Sequence, residues 1–312
     1  MPRIDDDVLD AVIYLYPDAD AAECGERTGG SGVIVNVPFG RFPAWVVPYA
    51  VTNSHVIREG KSPVIRCNSL SGGTSILPLK LEDWKHHPDG DDVAVARIKL
   101  QRDETARSIP VDWFVTKERI KEYDIGPGDE VILVGRFIGR EGRQRNSPSL
   151  RSGIISMMAD EPVMHPRGYL VDSFFVECKS LPGYSGSPVF MLCPPYTASK
   201  KRADTVPTYL LGIDWGHAKN RSPVFDEEGH KTKLTVEENT GMAHVAPAWK
   251  IRELLYSEEL VKDRKKDEQG IAEEVSRASA SMDTATERTD APFSKADFEA
   301  ALTKVTRKVE SE

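Results

Sequence analysis

Short apolar runs separated by turn-forming residues dominate the chain from Thr28 to about Pro207. Gly32-Val33-Ile34-Val35, Trp45-Val46-Val47, Tyr49-Ala50-Val51-Thr52, Val93-Ala94-Val95-Ala96, Glu130-Val131-Ile132-Leu133-Val134 and Tyr169-Leu170-Val171 lie among Gly, Pro, Asn and Asp. Runs of this length, rich in β-branched residues and punctuated in this way, are strands. No amphipathic helical pattern intervenes, so the strands are expected to pair antiparallel in a barrel or sandwich. Thr208 to Ile213 and Gly241 to Val245 add two more. Over Ala248 to Leu260 the pattern changes, and Ile251, Leu254 and Leu255 recur at the spacing of one helical face, which predicts a helix closing the domain.

Beyond Leu260 the apolar signal fades. Residues 261–291 are polar, with few large aliphatic side chains, and read as a flexible linker. In residues 292–312, Ser294-Lys295-Ala296-Asp297 has the form of a capping box, and Phe298, Leu302, Val305 and Val309 follow on one stripe of a short amphipathic helix. That helix either packs on its own domain or docks a partner protein. Both readings stand at this point.

With 312 residues and 39% hydrophobic content, the chain has room for one large or two ordinary domains around a sizeable core. A formal charge of −8 and a pI near 5.5 argue against nucleic acid or an anionic membrane as the main partner, because both need clustered cations. The start, M-P-R-I-D-D-D-V-L-D, lacks a basic segment leading into an apolar one, and the run from Ala11 to Tyr16 is too short for a signal or a membrane span. A cytoplasmic location is expected. Cys24, Cys67, Cys178 and Cys193 form no C-x-x-C pair and read as structural thiols, although Cys178 and Cys193 flank one turn and are placed to meet across it. With no Gly-rich phosphate loop, no cofactor is expected.

That turn, G-Y-S-G-S-P-V-F at residues 183–190, carries the candidate chemistry. A serine hydroxyl is a weak nucleophile near neutral pH and needs an imidazole to take its proton and an acid to orient the imidazole. Of seven histidines, His86 and His87 sit in the polar loop K-H-H-P-D-G-D-D, and His165, His217, His230 and His244 fall in loops or at strand ends, where solvation is expected. His55 differs, because it follows the apolar Trp45 to Val51 segment through the small polar residues Thr52-Asn53-Ser54. Downstream, D-D-V-A-V-A-R-I sets an acid at the head of a strand, and Asp92 is preferred to Asp91 because the first strand position allows partial burial beside the histidine. A metal site built from His86, His87, Asp89 and Asp91 is disfavoured, since adjacent histidines on one loop point apart; no metal is expected.

Taken together, His55 in V-T-N-S-H-V-I, Asp92 in D-V-A-V and Ser185 in G-Y-S-G-S-P-V-F resemble the trypsin-like serine peptidases, in particular the disulfide-poor bacterial branch of glutamyl endopeptidases and HtrA-type proteases. The order His…Asp…Ser is that family's. T-G-G-S-G-V-I-V, G-D-E-V-I-L-V-G and L-L-G-I-D-W-G look alike as well, and the resemblance spans about residues 8–256. It implies an all-β fold of two antiparallel six-stranded barrels, over residues 1–112 with His55 and Asp92 and over residues 113–260 with Ser185 and the closing helix. It further implies serine endopeptidase activity on a polypeptide substrate, with Gly183 and Ser185 N–H groups as an oxyanion hole. Substrate contacts would come from Ser180, Leu181, Asp214, Trp215 and Gly216. Asp214 at the pocket wall, unless paired with Lys179, would disfavour an acidic side chain before the cleaved bond. The α/β-hydrolase elbow G-x-S-x-G is ruled out by Ser187 and by the apolar strand that follows. Tyr184 stands where digestive members carry an aspartate that pairs with a newly cut amino terminus, so that switch is absent. The alternative is a peptidase-like binding module that engages a partner without turnover.

Overall fold

The computed structural model describes residue 4 and residues 6–70, 72–100, 106–137, 139, 142, 144–192 and 208–286. In chain order the described elements begin with α1 (Asp6–Asp10), β1 (Val12–Tyr16), α2 (Ala19–Cys24), β2 (Gly30–Pro38), β3 (Val46–Thr52), α3 (Ser54–Arg58), β4 (Val64–Asn68), β5 (Thr74–Leu77), β6 (Trp84–His86), β7 (Ala94–Arg97) and β8 (Ile109–Pro110). They continue with α4 (Lys117–Tyr123), β9 (Glu130–Gly135), β10 (Ser149–Met157), β11 (Val163–Met164), β12 (Leu170–Val171), β13 (Phe174–Glu177), β14 (Pro188–Leu192), β15 (Thr208–Phe225), β16 (Lys231–Pro247), α5 (Ala248–Leu255) and α6 (Glu258–Thr286). The described chain is mostly β, as the apolar pattern predicts.

Among the described residues the N-terminal strands form one open sheet in the order β5-β4-β1-β2-β3-β7-β6, with β8 paired in parallel to β2. The expected pair of six-stranded barrels is therefore corrected: this half does not close. Its edges are the four-residue β5 and the three-residue β6, which offer too few backbone groups to build a closing ladder. In the C-terminal half, β9 pairs with both β10 and β14, and the antiparallel ladder β10-β13-β16-β15-β14 returns to it. Every residue of β1 is buried, and Ile13 and Leu15 join Ile34, Ala50, Ile65, Trp84 and Ala94 in one core. Val131, Leu133, Phe174, Val176, Val189, Met191 and Trp249 build the other.

Two strands run far past their predicted ends. The segments read as Thr208 to Ile213 and Gly241 to Val245 extend into the long hairpin β15–β16. Its outer part is polar, with Lys219, Asn220, Arg221 and Ser222 facing Asn239, Glu238, Glu237 and Val236, so no apolar alternation marks it. The turn is held by Asp226, whose side chain accepts from the Glu228 and His230 N–H groups.

The described residues of 1–37 and 46–256 form one compact unit that contains these sheets and the small β11–β12 pair. Residues 38–45 with the described chain from Ser257 to Thr286 form a second, in which the Arg41 N–H donates to Glu268 (2.8 Å). The reading of 261–291 as a flexible linker is corrected through Thr286, since α6 runs from Glu258 to that residue. Its Glu, Lys, Arg and Ala residues are poor core formers but strong helix formers, and low hydrophobicity alone does not separate the two cases. The amphipathic stripe from Phe298 to Val309 lies outside the described residues. Among those that are described, no helix is long and apolar enough to cross a membrane.

Candidate active site

The first part of the site is local in origin. Strand β3 ends at Thr52, and the chain turns at Asn53 into the single turn α3, which carries His55 as its second residue. First-turn N–H groups have no partner inside a helix, and here the His55 N–H donates to Asp92 Oδ1 (2.9 Å). The other carboxylate oxygen holds the ring, with His55 Nδ1 and Asp92 Oδ2 2.5 Å apart. Asn53 does not cap the helix; its Nδ2 donates instead to the Asp92 carbonyl (2.9 Å). Asp92 is thus gripped at both carboxylate oxygens and at its backbone. Its side chain is 3% exposed, against 24% for His55. Burial pushes the Asp92 carboxyl up, but the His55 ring, by hydrogen bond and charge, and the His55 N–H together hold it below the ordinary carboxylate value.

Asp91 goes elsewhere. Its carboxylate lies 3.1 Å from Lys250 Nζ and 3.2 Å from His87 Nδ1, while His87 Nε2 faces Glu253 at 3.3 Å. His86 turns the other way and shares a hydrogen bond with Ser54 Oγ (2.7 Å). Burial, aided by Arg58, pushes the His86 imidazole down to about 4, so it is neutral at pH 7. The adjacent histidines 86 and 87 therefore serve separate elements.

The second part is the turn from Leu181 to Pro188. The Ser31 N–H donates to the Ser185 carbonyl (2.8 Å), and the Gly186 N–H donates to the Asp214 carbonyl (2.8 Å). Gly186 has φ +84, and a Cβ there would meet Ser31 O at 2.0 Å and Thr52 Oγ1 at 2.3 Å. The glycine is required by both conformation and space. Gly186→Ala is expected to expel the turn from its seat against β2 and β3, with a drop in melting temperature of several degrees and loss of function together; an alanine variant that melts like the parent would contradict this packing. Within the turn, the Tyr184 and Ser187 N–H groups find the Leu181 and Tyr184 carbonyls. Among the described residues, the N–H groups of Gly183 and Ser185 find no acceptor.

His55 and Ser185 line the same cavity, of about 520 Å³. The trypsin-like peptidase domain family matches residues 30–192, just over half of the chain and the whole span from β2 through the serine turn. The chain belongs to the trypsin-like peptidase family. It is also similar to the apo MamO protease domain from Magnetospirillum magneticum, at 16% identity and a TM-score of 0.46 over 79% of this chain and 96% of that one. The HtrA-type protease AlgW is similar at 17% identity and a TM-score of 0.41, over 74% of this chain and 52% of that one. An inactive serine-to-alanine form of Rv3671c from M. tuberculosis H37Rv is similar at 13% identity and a TM-score of 0.43, over 80% of this chain and 86% of that one. No curated protein matches.

The remaining walls of this trypsin-like cleft come in part from residues expected there and in part from others. Ser180, Leu181, Trp215 and Gly216 line the cavity. Asp214 does not: it is fully buried, 0% exposed, behind the wall, and accepts a hydrogen bond from Ser180 Oγ (2.7 Å). Among the described residues no ion pair joins it to Lys179. The expectation of a charged Asp214 facing the substrate pocket is thereby corrected. His165, His217 and His244, expected to be solvated, all line the cavity, with Arg167, Lys219, Arg221 and Glu237. Trp215 packs between two of them, 4.8 Å from the His165 ring and 4.6 Å from the His244 ring, and its indole N–H donates to Ser173 Oγ (3.2 Å). Burial, followed by the charges of His217 and His165, pushes the His244 imidazole down to about 4. No local pattern flags these histidines; the pairing of β15 with β16 brings His217 and His244 together, and His165, between β11 and β12, packs against His244 through Trp215. Cys178 and Cys67 are buried, and Cys193, the expected partner of Cys178, lies outside the described residues.

Burial pushes the Asp214 carboxyl up to about 7, against the lowering influence of the Ser180 hydroxyl, the Gly216 N–H and His55. A carboxyl that keeps its proton in the folded state where the unfolded chain has lost it makes folding less favourable as pH rises from about 4 to about 7, and the effect is complete above that window. Asp214→Asn keeps an acceptor for Ser180 and removes the titration. The variant is expected to be more stable than the parent at pH 8, by on the order of a few kcal/mol, with the gap closing toward about pH 4. Parallel stability curves for the two proteins over this range would show that Asp214 does not titrate in this way.

Proposed function

We propose that the protein is a serine endopeptidase. The observation that carries this reading is the double hold of Asp92 on His55, with His55 and Ser185 lining one cavity. In the proposed reaction a polypeptide lies as an added strand beside residues 214–216, where main-chain bonds give affinity with little sequence choice. The Ser185 oxygen attacks the scissile carbonyl while His55 Nε2 takes its proton. Asp92 keeps the Nδ1 proton in place and stabilises the imidazolium as it forms. The negative charge developing on the carbonyl oxygen is met by the free N–H groups of Gly183 and Ser185, which need no reorganisation as the charge appears. His55 then passes its proton to the leaving amine, and the acyl group on Ser185 is removed by water through the same steps in reverse.

A fluorophosphonate probe tests the reading without knowledge of the natural substrate, because it reacts with an activated serine. Stoichiometric labelling of the intact protein, mapped by mass spectrometry to the peptide containing Ser185, is the expected result. Absence of labelling in folded protein, or labelling that maps to another serine, overturns it.

A further inference from the structure

Tyr184 is the residue between the two free N–H groups, and its side chain is entirely buried. Its ring joins the core of the C-terminal sheet, and its hydroxyl reaches β10. There the Tyr184 hydroxyl lies 2.6 Å from Ser149 Oγ and receives a hydrogen bond from Arg151 Nε (2.9 Å). Ser149 Oγ in turn donates to the Gly135 carbonyl at the end of β9 (3.2 Å). The donors and acceptors fit one direction throughout: Arg151 donates to Tyr184, Tyr184 donates to Ser149, and Ser149 donates to Gly135. Each group in this chain is satisfied, and a charged donor at its head strengthens the bonds that follow. The Arg151 guanidinium also sits 5.2 Å from the centre of the Tyr184 ring.

Resting on the serine-peptidase reading, we propose that Arg151 and Ser149 are positioning residues which set the oxyanion hole through the Tyr184 hydroxyl. The physical reason is the place of Tyr184 in the chain. The two N–H groups proposed to receive the developing negative charge belong to Gly183 and Ser185, so the peptide planes that aim them, 182–183 and 184–185, are separated only by the Gly183 Cα, the 183–184 peptide and the Tyr184 Cα. Gly183, at φ +91, has little conformational preference of its own to hold them. Pinning the far end of a rigid aromatic side chain at two points on β10 removes that freedom. The donors are then aimed before substrate arrives, which is the condition under which such groups accelerate a reaction. This anchor is internal to the folded domain and links the turn directly to the strand next to β9.

The variants Tyr184→Phe, Arg151→Met and Ser149→Ala leave Ser185, His55 and Asp92 in place, and each removes one member of the chain. A group that acts on transition-state charge alters kcat with little change in KM. For Tyr184→Phe and Arg151→Met we expect the fluorophosphonate labelling rate and kcat on a peptide substrate to fall about ten- to a hundredfold, with KM within about threefold of the parent. Ser149→Ala, which leaves the Arg151 contact intact, should have a smaller effect. Arg151→Lys, which keeps a cationic donor, should recover part of the rate. Thermal melting of each variant separates positioning from unfolding: the rates should fall in protein that remains fully folded at the assay temperature. Parent-like labelling and kcat in the folded Tyr184→Phe and Arg151→Met variants overturns the inference alone, as does a loss confined to KM or one that only tracks the folded fraction. If the wild-type protein itself is not labelled at Ser185, the peptidase reading fails, and this inference fails with it.

Discussion

Ser185→Ala is expected to abolish fluorophosphonate labelling and to lower peptide hydrolysis by about four to six orders of magnitude, the size of loss seen when a nucleophile that works as a unit with its base is removed. The fold should be unaffected, since Ser185 is held by its carbonyl, which accepts from the Ser31 N–H, and this bond does not involve the side chain. His55→Ala should lose comparable activity, because without the imidazole the hydroxyl keeps its proton. Ser185→Ala should melt like the parent protein, whereas His55→Ala, which takes the ring partner from the buried Asp92 carboxylate, should melt lower and is assayed at a temperature where its circular dichroism matches the parent's. Retention of more than about a tenth of the hydrolytic rate in either would overturn the assignment of these residues.

The second large effect separates the two neighbouring aspartates. Asp92→Asn is expected to cost about four orders of magnitude in kcat, because the amide presents a donor or a weaker acceptor to His55 Nδ1 and no longer favours the tautomer with a proton there. The carboxylate is buried, so no water readily takes over either of its two bonds to His55. Asp91→Asn should leave the rate within about threefold of the parent, since Asp91 pairs with Lys250 and His87 and not with His55. Its cost should appear as a lower melting temperature, through weakened attachment of the 91–92 loop to α5. A steady-state comparison of the two variants at one pH decides the matter: if Asp91→Asn is the inactive one, the orienting role belongs to the other residue.

That Asp92 and not Asp91 contacts His55 is legible in the amino-acid sequence, as is the place of His55 beside it. Both rest on position relative to an apolar strand, which is a local property. The same rule misjudges His165, His217 and His244: His165 lies in a loop, His217 and His244 lie inside the long strands β15 and β16, and whether such a place faces solvent or a cavity depends on what packs across from it. The expected wall residue Asp214 fails for the opposite reason. In G-I-D-W-G its alternation with Trp215 points one side chain to the cavity and the other behind it, and the sequence does not say which. Tyr184 could be marked as unusual between Gly183 and Ser185, but Arg151 and Ser149 lie 33 and 35 positions away and carry no motif.

Strand content, the nature of the candidate nucleophile and its base, and the order in which they occur follow from the sequence by itself, because each depends on residue type and spacing over a few positions. The tertiary structure alone decided whether each sheet closes, where the long β15–β16 hairpin ends, which side of the wall Asp214 occupies and what holds the Tyr184 hydroxyl. These depend on pairings between segments far apart in the chain. Local apolar pattern can show that a strand has a buried face but not which strand covers it, and that choice is made only when the backbone hydrogen bonds and side-chain volumes of both partners are satisfied at once.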